Sequence, residues 1–378
     1  MKKKILIVYC SFGSGHKTIA EVVEKYFLEN SDCEVKILDV TKYSNTLGKI
    51  SVKVFNHIIN HRSEFIFNLA YEAVDNKMGS LNQIGFVKRA FNNELLKKEI
   101  VEFNPDLTVS THYWASNIVS YYNKLGLIKS KVITIITDYI SHSFWRKYHE
   151  YQDGFIVAND IVKNEMIKKG VEARKIYPFG LPIDRNKLMN LETKSIIRRK
   201  YNIDKDKETF LFFGGGSTGS MAYYEYFKLL VKSNYPINII FVCGKNTELE
   251  NKSRAYVVKN NLKNVKVLGF VKDVYSLLNI SDFVITKPGG ATITECLEMH
   301  VPMVLVPGFG GQEKYNARFV AKKKYGLKTR TPIGLNHTIK KLIKNDNYRI
   351  KYKTNLEKVE PNDSTKKLFD LCMGMLKK

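Results

Sequence analysis

The chain is short of the features that most quickly assign a protein to a class. Among its 378 residues are five cysteines, Cys10, Cys33, Cys243, Cys296 and Cys372, far apart and with no CxxC pair. That spacing offers neither a disulfide framework nor a thiolate metal site. Four of the five lie in apolar patterns where a thiol acts as a small hydrophobe. No apolar run approaches the roughly 18 residues that cross a bilayer. The opening MKKKILIVYCSFG is basic and then apolar, but its apolar stretch is too short for a secretory leader and a glycine turn follows. It reads as a first strand, and the protein as cytoplasmic. The sequence has no GxxxxGK[ST] P-loop, no DxD-like metal clamp and no zinc-finger, RNA-recognition or helix-turn-helix signature. Acids are also scarce: 37 Asp and Glu face 61 Lys and Arg, a formal net charge of +24. A surface of that sign seeks anionic lipid headgroups, phosphorylated ligands or nucleic acid, unless the excess only mirrors a lysine-rich proteome. With no nucleic-acid signature, charge alone does not make nucleic acid an expected partner.

What the chain does have is a regular alternation. Strand-like runs KILIVYC, EVKILDV, DLTVS, KVITIIT and GFIVA in the first half are matched by TFLFFG, INIIFVCG, VKVLG, DFVIT and PMVLVPG in the second. Continuous Val/Ile/Phe runs mark strands covered on both faces, and helical segments between them mark βαβ units with parallel sheets. The series restarts after PFGLPIDRNKLMN, where two prolines, a glycine and lost periodicity indicate a linker. The expected fold class is α/β: two Rossmann-like doubly wound domains facing a cleft. The expected boundaries are 1–180, a linker at 181–192, a second domain at 193–360 and a C-terminal helix at 361–378. Residues 43–98 break the pattern. Phe55, Phe65, Phe67 and Tyr71 stand beside Lys49, Lys53, Arg62 and Lys88, a mixture that suits an interfacial membrane surface or an ordinary amphipathic helical pair. The C-terminal helix reads either as a lipid anchor or, preferably, as packed on the first domain.

Three glycine-rich turns follow strands and precede helices. In YCSFGSGHKTIAEVV, Gly13 and Gly15 bring backbone amides to a helix start. The third glycine of a dinucleotide fingerprint is absent, since position 18 is Thr, and only Asp39 is placed to hold a ribose. A nicotinamide cofactor is therefore disfavoured. His16, at the top of the helix, is either a surface histidine or a functional one. In FLFFGGGSTGS, Gly215, Gly216 and Ser217 form a turn able to hold an anion without metal. In TKPGGATITECLE, Gly289, Gly290 and Thr292 sit at a helix N-terminus, where a phosphate gains about 0.3–1 kcal/mol from the dipole. Two readings of Glu295 stand: complement to that dipole, or acceptor for a pair of sugar hydroxyls. Just downstream, Gln312, Glu313 and Asn316 either cap a helix or read a polyol.

In order and spacing, SFGSGH, VITIITDYISHSFWRKYHEYQDGFIVANDIVKNEM, FGLPID, GKNTELE and the run from VKVLGFVKD to GFGGQEKYNARF resemble GT-B UDP-sugar glycosyltransferases. The branch is that of processive diacylglycerol glucosyltransferases and monogalactosyldiacylglycerol synthases, in glycosyltransferase family 28. The resemblance implies an inverting hexosyl transfer from a UDP-sugar to a membrane lipid, with diacylglycerol as the first acceptor to consider. It implies a protein peripheral on the inner face of the cell membrane and no metal or other cofactor. It places Gly289, Gly290 and Thr292 near the diphosphate, Glu295 on the ribose, Phe270 and Val271 beside the uracil, and Gln312 and Glu313 on the sugar. Gly215, Gly216 and Ser217 would close on the diphosphate or sugar. His16 is the first candidate for the base that activates the acceptor and Asp138 the second. His112, Asp138 and His142 belong to the acceptor side, with Tyr113 standing where relatives carry proline. Transfer of N-acetylglucosamine to a polyprenyl lipid, or a UDP-sugar epimerase of the same architecture, are the alternatives.

Overall fold

The computed structural model describes residues 2–11, 13–43, 94–216, 219–308, 311–361 and 363–377. Most of the aromatic, basic 43–98 segment and Ser217 lie outside these. The chain divides into two compact units. One holds the described residues up to Ile183 together with the C-terminal helix Ser364–Leu376, and the other Asp184–Pro361.

The first unit is a six-stranded parallel sheet built from β1 (Lys4–Tyr9), β2 (Glu34–Asp39), β3 (Leu107–Ser110), β4 (Lys131–Ile135), β5 (Gly154–Ile156) and β6 (Ile176–Tyr177). Its order is β2-β1-β3-β4-β5-β6. The continuous apolar runs are explained by cover on both faces: Ile5, Leu6, Ile7 and Val8 are all fully buried. One face packs Leu6 and Val8 against Ile100, Val119 and Tyr122 of the helices Glu94–Phe103 and Tyr113–Lys124. The C-terminal helix adds to this unit. Phe369 lies 5.1 Å from the ring of Phe27 and 5.4 Å from that of Tyr26 on the helix Gly15–Asn30. Ser364 donates to the Leu181 carbonyl, and Thr365 bonds both backbone groups of Ile183.

The second unit repeats the plan with β7 (Thr209–Phe213), β8 (Asn238–Val242), β9 (Val265–Leu268), β10 (Phe283–Thr286), β11 (Met303–Leu305) and β12 (Gly326–Lys328), in the order β12-β11-β10-β7-β8-β9. Its core is aromatic. Phe227 stacks on Phe241 at 4.4 Å and Phe210 on Phe283 at 5.2 Å, and each such burial is worth about 1.5–3 kcal/mol. The chain crosses between units at Ile183 and Asp184, inside the stretch read as linker, part of which is the short helix Arg185–Met189. Both sheets are doubly wound. The strand order reverses between β1 and β3 in the first and between β7 and β10 in the second. In open parallel sheets, ligands bind beyond the carboxyl ends of the strands at such reversals.

Candidate active site

At the second unit's reversal, β10 gives way to Lys287-Pro288-Gly289 and the helix Gly290–Glu298. Gly289 has an ordinary backbone, φ −73° and ψ 136°. A Cβ built there meets nothing within 4 Å. Neither conformation nor neighbours require glycine, so what it preserves is empty space at the helix mouth. Its own N–H donates to the Lys287 carbonyl at 2.9 Å. The amides without a helical acceptor therefore belong to Gly290, Ala291 and Thr292, and no side chain caps them. Of the predicted phosphate residues, Gly289 contributes room, and Gly290 and Thr292 contribute donors.

Glu295 is the sixth residue of this helix, whose first turn contains no acid. The dipole acts mainly within that turn, so dipole complementation does not account for it. Burial pushes its carboxyl up to about 7, with Lys187 pulling the other way. A half-buried carboxylate beside an open helix mouth suits a diol. Phe270, just past β9, is 48% exposed, and the Lys245 ammonium lies 5.2 Å from its ring centre. It offers an aromatic surface, with Val271 beside it.

The helix Gly311–Lys322 locks the turn in place. Glu313, 7% exposed, is ion-paired with Lys287. Asn316, fully buried, donates to the Pro288 carbonyl at 3.1 Å. A side chain at Gly308 would run into the Glu313 carboxylate. Glu313 and Asn316, for which the sequence offered either a helix cap or a polyol contact, fasten the KPGG turn in this chain. Gln312 differs: its Oε1 is buried and has no partner among the described residues. It is the side chain of this trio with an acceptor left to offer.

The glycines after β7 have a local explanation. Gly215 and Gly216 take φ of 108° and 74°, and Gly219 takes 70°. A Cβ at Gly215 would lie 2.9 Å from the Ser220 nitrogen, and one at Gly219 would strike the Cys243 carbonyl. The loop folds back through Ser220 N–H to the Gly214 carbonyl at 2.7 Å. Ser220 then caps the following 3₁₀ turn, Met221–Tyr223. In the described residues of this turn, the backbone itself demands the glycines.

At the first unit's reversal, Gly13 takes φ 80° and the helix Gly15–Asn30 opens behind Ser14 without a side-chain cap. Asp39, the one candidate for a dinucleotide ribose, has both oxygens engaged. Ser11 donates to one at 2.5 Å, and Thr41 donates twice to the other. His16 is held with chemical consequence. Its Nδ1 lies 2.6 Å from the Thr111 carbonyl. A carbonyl only accepts, so Nδ1 carries the proton and Nε2 is the basic nitrogen. Thr111 Oγ1 returns a bond to the His16 carbonyl at 2.9 Å, and the Thr137 hydroxyl lies 3.2 Å from Nδ1.

Around His16 stand His112, with ring centres 4.6 Å apart, and Trp145 at 6.5 Å. His112 Nδ1 accepts from the Trp114 N–H at 3.1 Å and so caps the helix Tyr113–Lys124. Burial, with His16 and His142 nearby, holds its pKa well below the ordinary histidine range, so it stays neutral. Tyr113 occupies the first helical position, one that proline favours, and leaves the helix start intact. Its ring stacks on His112 at 4.3 Å. Asp138 is buried just past β4; burial, followed by the nearby Cys10 and then Asp138, drives the Tyr113 phenol upward. His142 caps the turn Ser143–Arg146 by accepting from Phe144 N–H. His16, His112, Tyr113, Asp138, His142 and Trp145 therefore form one neighbourhood. Sequence reading missed Lys287, Thr111 and Thr137. Thr111 directly precedes His112, and Lys287 stands inside the quoted TKPGG turn. Nothing local marked either as a partner of a residue far along the chain.

Two six-stranded doubly wound sheets define a GT-B glycosyltransferase fold. Acinetobacter baumannii MurG superposes with a TM-score of 0.64 at 17% identity, covering 98% of this chain and 99% of that one. A UDP-GlcNAc 2-epimerase from Neisseria meningitidis gives 0.65 at 12% identity, covering 98% and 100%. Sequence comparison is more specific. Residues 16–183 match the family described as monogalactosyldiacylglycerol (MGDG) synthase, and residues 210–368 match the glycosyltransferase family 28 C-terminal domain. The processive diacylglycerol beta-glucosyltransferase of Bacillus subtilis (strain 168) is 28% identical over 324 residues, 84% of this chain and 81% of that protein. The protein of that name from Bacillus pumilus is 29% identical over 324 residues, 84% and 80%. The first unit thus matches the monogalactosyldiacylglycerol synthase family and the second the C-terminal domain of glycosyltransferase family 28.

Proposed function

We infer that the chain is an inverting glycosyltransferase that moves a hexose from a UDP-sugar to diacylglycerol. The observation that carries this reading is the mouth of the helix Gly290–Glu298. It has unpaired amides, space kept open by Gly289 and a carboxylate one turn further in. A diphosphate fits the amides, and the ribose diol fits Glu295. The base stacks on Phe270, and Gln312 Oε1 accepts from a sugar hydroxyl. In the first unit, His16 Nε2 takes the proton of the acceptor hydroxyl as its oxygen attacks the anomeric carbon. The bond from that carbon to the phosphate oxygen breaks, and UDP departs with inversion. Helix amides provide the countercharge for the leaving group, and the proposal includes no metal. The match of residues 16–183 to the MGDG synthase family supports diacylglycerol over a polyprenyl acceptor or an epimerase reaction. Glucose, named in the Bacillus relatives, is the first sugar to try.

The acceptor resides in a bilayer, and among the described residues no helix is long and apolar enough to cross one. Attachment then rests on the surface charge of +24, each Lys or Arg near anionic lipid contributing about 1 kcal/mol. Vesicles of diacylglycerol and anionic phospholipid, incubated with each UDP-sugar and a chelator, test the whole reading by the mass of the lipid product. A glycolipid should form despite the chelator, and less of it as salt rises. No product with any donor would sink the assignment, and a strict divalent-ion requirement would sink its metal-free part.

Gly289→Ala gives a narrower test. The fold has room for the methyl group, so thermal stability should change by no more than about 1 kcal/mol. UDP affinity should fall about tenfold or more, because the methyl enters the diphosphate's space. Calorimetry showing unaltered affinity would remove the diphosphate from this helix.

A further inference from the structure

Lys287 follows β10 directly and stands two positions before Gly289, whose open space marks the helix mouth. Its ammonium is located by what it meets. It is ion-paired with Glu313 Oε1, on the third residue of the helix Gly311–Lys322. The Glu313 carboxylate is itself held against the turn. A Cβ built at Gly308 would run into that carboxylate and would lie 3.0 Å from Pro288 Cδ. The ammonium therefore sits beside the Pro-Gly turn rather than out in solvent at the end of its stem. An ammonium has three donors, and among the described residues Glu313 Oε1 is the one partner of this one. Two N–H groups are left for a ligand. The Lys287 side chain is 27% exposed and that of Glu313 9%, so the pair turns its cation to the open side. That orientation matters for an anionic ligand. A buried carboxylate alone beside the mouth would repel a diphosphate, and the lysine reverses the charge the ligand meets.

We propose that Lys287 is a catalytic residue of the transfer: its two remaining N–H groups bind the β-phosphate and stabilise the charge that builds there as UDP leaves. This rests on the donor-site reading above. When the bond from the anomeric carbon to the β-phosphate oxygen breaks, its electron pair stays on that oxygen. Lys287 donates hydrogen bonds to the phosphate and keeps its proton. The helix amides and this ammonium then share the countercharge, and Glu313 holds the ammonium in place beforehand, so little reorganisation is needed during the reaction.

The test is made on the full chain in a Glu313→Gln background, where loss of the lysine strands no buried carboxylate. Calorimetric affinities for UDP and for UMP are set beside single-turnover rates with UDP-glucose on diacylglycerol vesicles. Adding Lys287→Met to that background should weaken UDP roughly 10–100-fold, as for a lost charge-assisted bond, and leave UMP within about threefold. The transfer rate should fall roughly 10²–10³-fold, the scale of removing one donor from a developing anion. Lys287→Arg in the same background keeps the cation and should recover most of the UDP affinity. A lysine that only fastened the turn would, once removed, disturb the helix amides and weaken both nucleotides alike. Equal losses for UDP and UMP would therefore overturn the proposal. Unchanged UDP affinity after Lys287→Met would overturn it too and leave the donor site standing. If the wild-type chain shows no affinity for UDP, the donor-site reading itself falls and takes the proposal with it.

Discussion

His16→Ala is expected to lower turnover by roughly 10²–10⁴-fold while leaving UDP affinity within about threefold. The expectation comes from the ring's orientation. The Thr111 carbonyl, 2.6 Å from Nδ1, can only accept, so the tautomer that places the lone pair on Nε2 is built into the strand end. The same threonine's hydroxyl holds the His16 backbone from the other side. A ring pinned on one nitrogen and basic on the other has the form of a general base. A surface histidine would have no need of a partner 95 positions along the chain. Single-turnover rates on diacylglycerol vesicles, set beside calorimetric UDP affinities, separate the two effects. Equal loss in both would make His16 a binding residue. A larger rate loss in Asp138→Asn than in His16→Ala would move the base to Asp138, which shares the neighbourhood through Tyr113.

Both sheets were legible because buried parallel strands leave an uninterrupted apolar run, and KILIVYC or TFLFF cannot be mistaken for a half-exposed strand. The two strands missed, β6 with two residues and β12 with three, lie at sheet edges and are too short to form a run. The glycine turns were found, but their causes could not be told apart from composition. Gly215, Gly216 and Gly219 serve a backbone with positive φ, whereas Gly289 has an ordinary φ and serves an empty space. That distinction is a torsion angle and a void, and neither is written in the letters GG. The packing bonds of Glu313 and Asn316 could not be read from the sequence. Their bonds go to Lys287 and Pro288, more than twenty positions away, and only the packing of one helix on the preceding turn brings them together. His112 offers the same lesson, since its ring nitrogen closes a helix end.

Glu295→Gln should act with opposite signs on stability and on function. In the folded chain the Glu295 carboxyl is held at about 7, above its ordinary value of 4.5, so the folded state binds the proton more tightly than the unfolded one. Below about pH 4.5 both states are protonated and the site costs nothing. As pH rises from there to about 7 the unfolded chain ionises first and stability drains away, and above 7 the full cost of a desolvated carboxylate remains. Glutamine cannot ionise, so the variant should match wild type near pH 4. At pH 8 it should exceed wild type by an amount on the order of 3 kcal/mol. UDP affinity should fall roughly 10–100-fold, the loss of charge-assisted bonds worth about 1.5–3 kcal/mol. A residue whose removal strengthens the fold and weakens the ligand is retained for the ligand. If Glu295 instead complemented the helix dipole, its ionised form would stabilise the helix, and glutamine would lower stability at pH 8 while sparing UDP binding. Thermal unfolding at pH 4 and pH 8, with calorimetry at pH 8, distinguishes the two by the sign of the change alone.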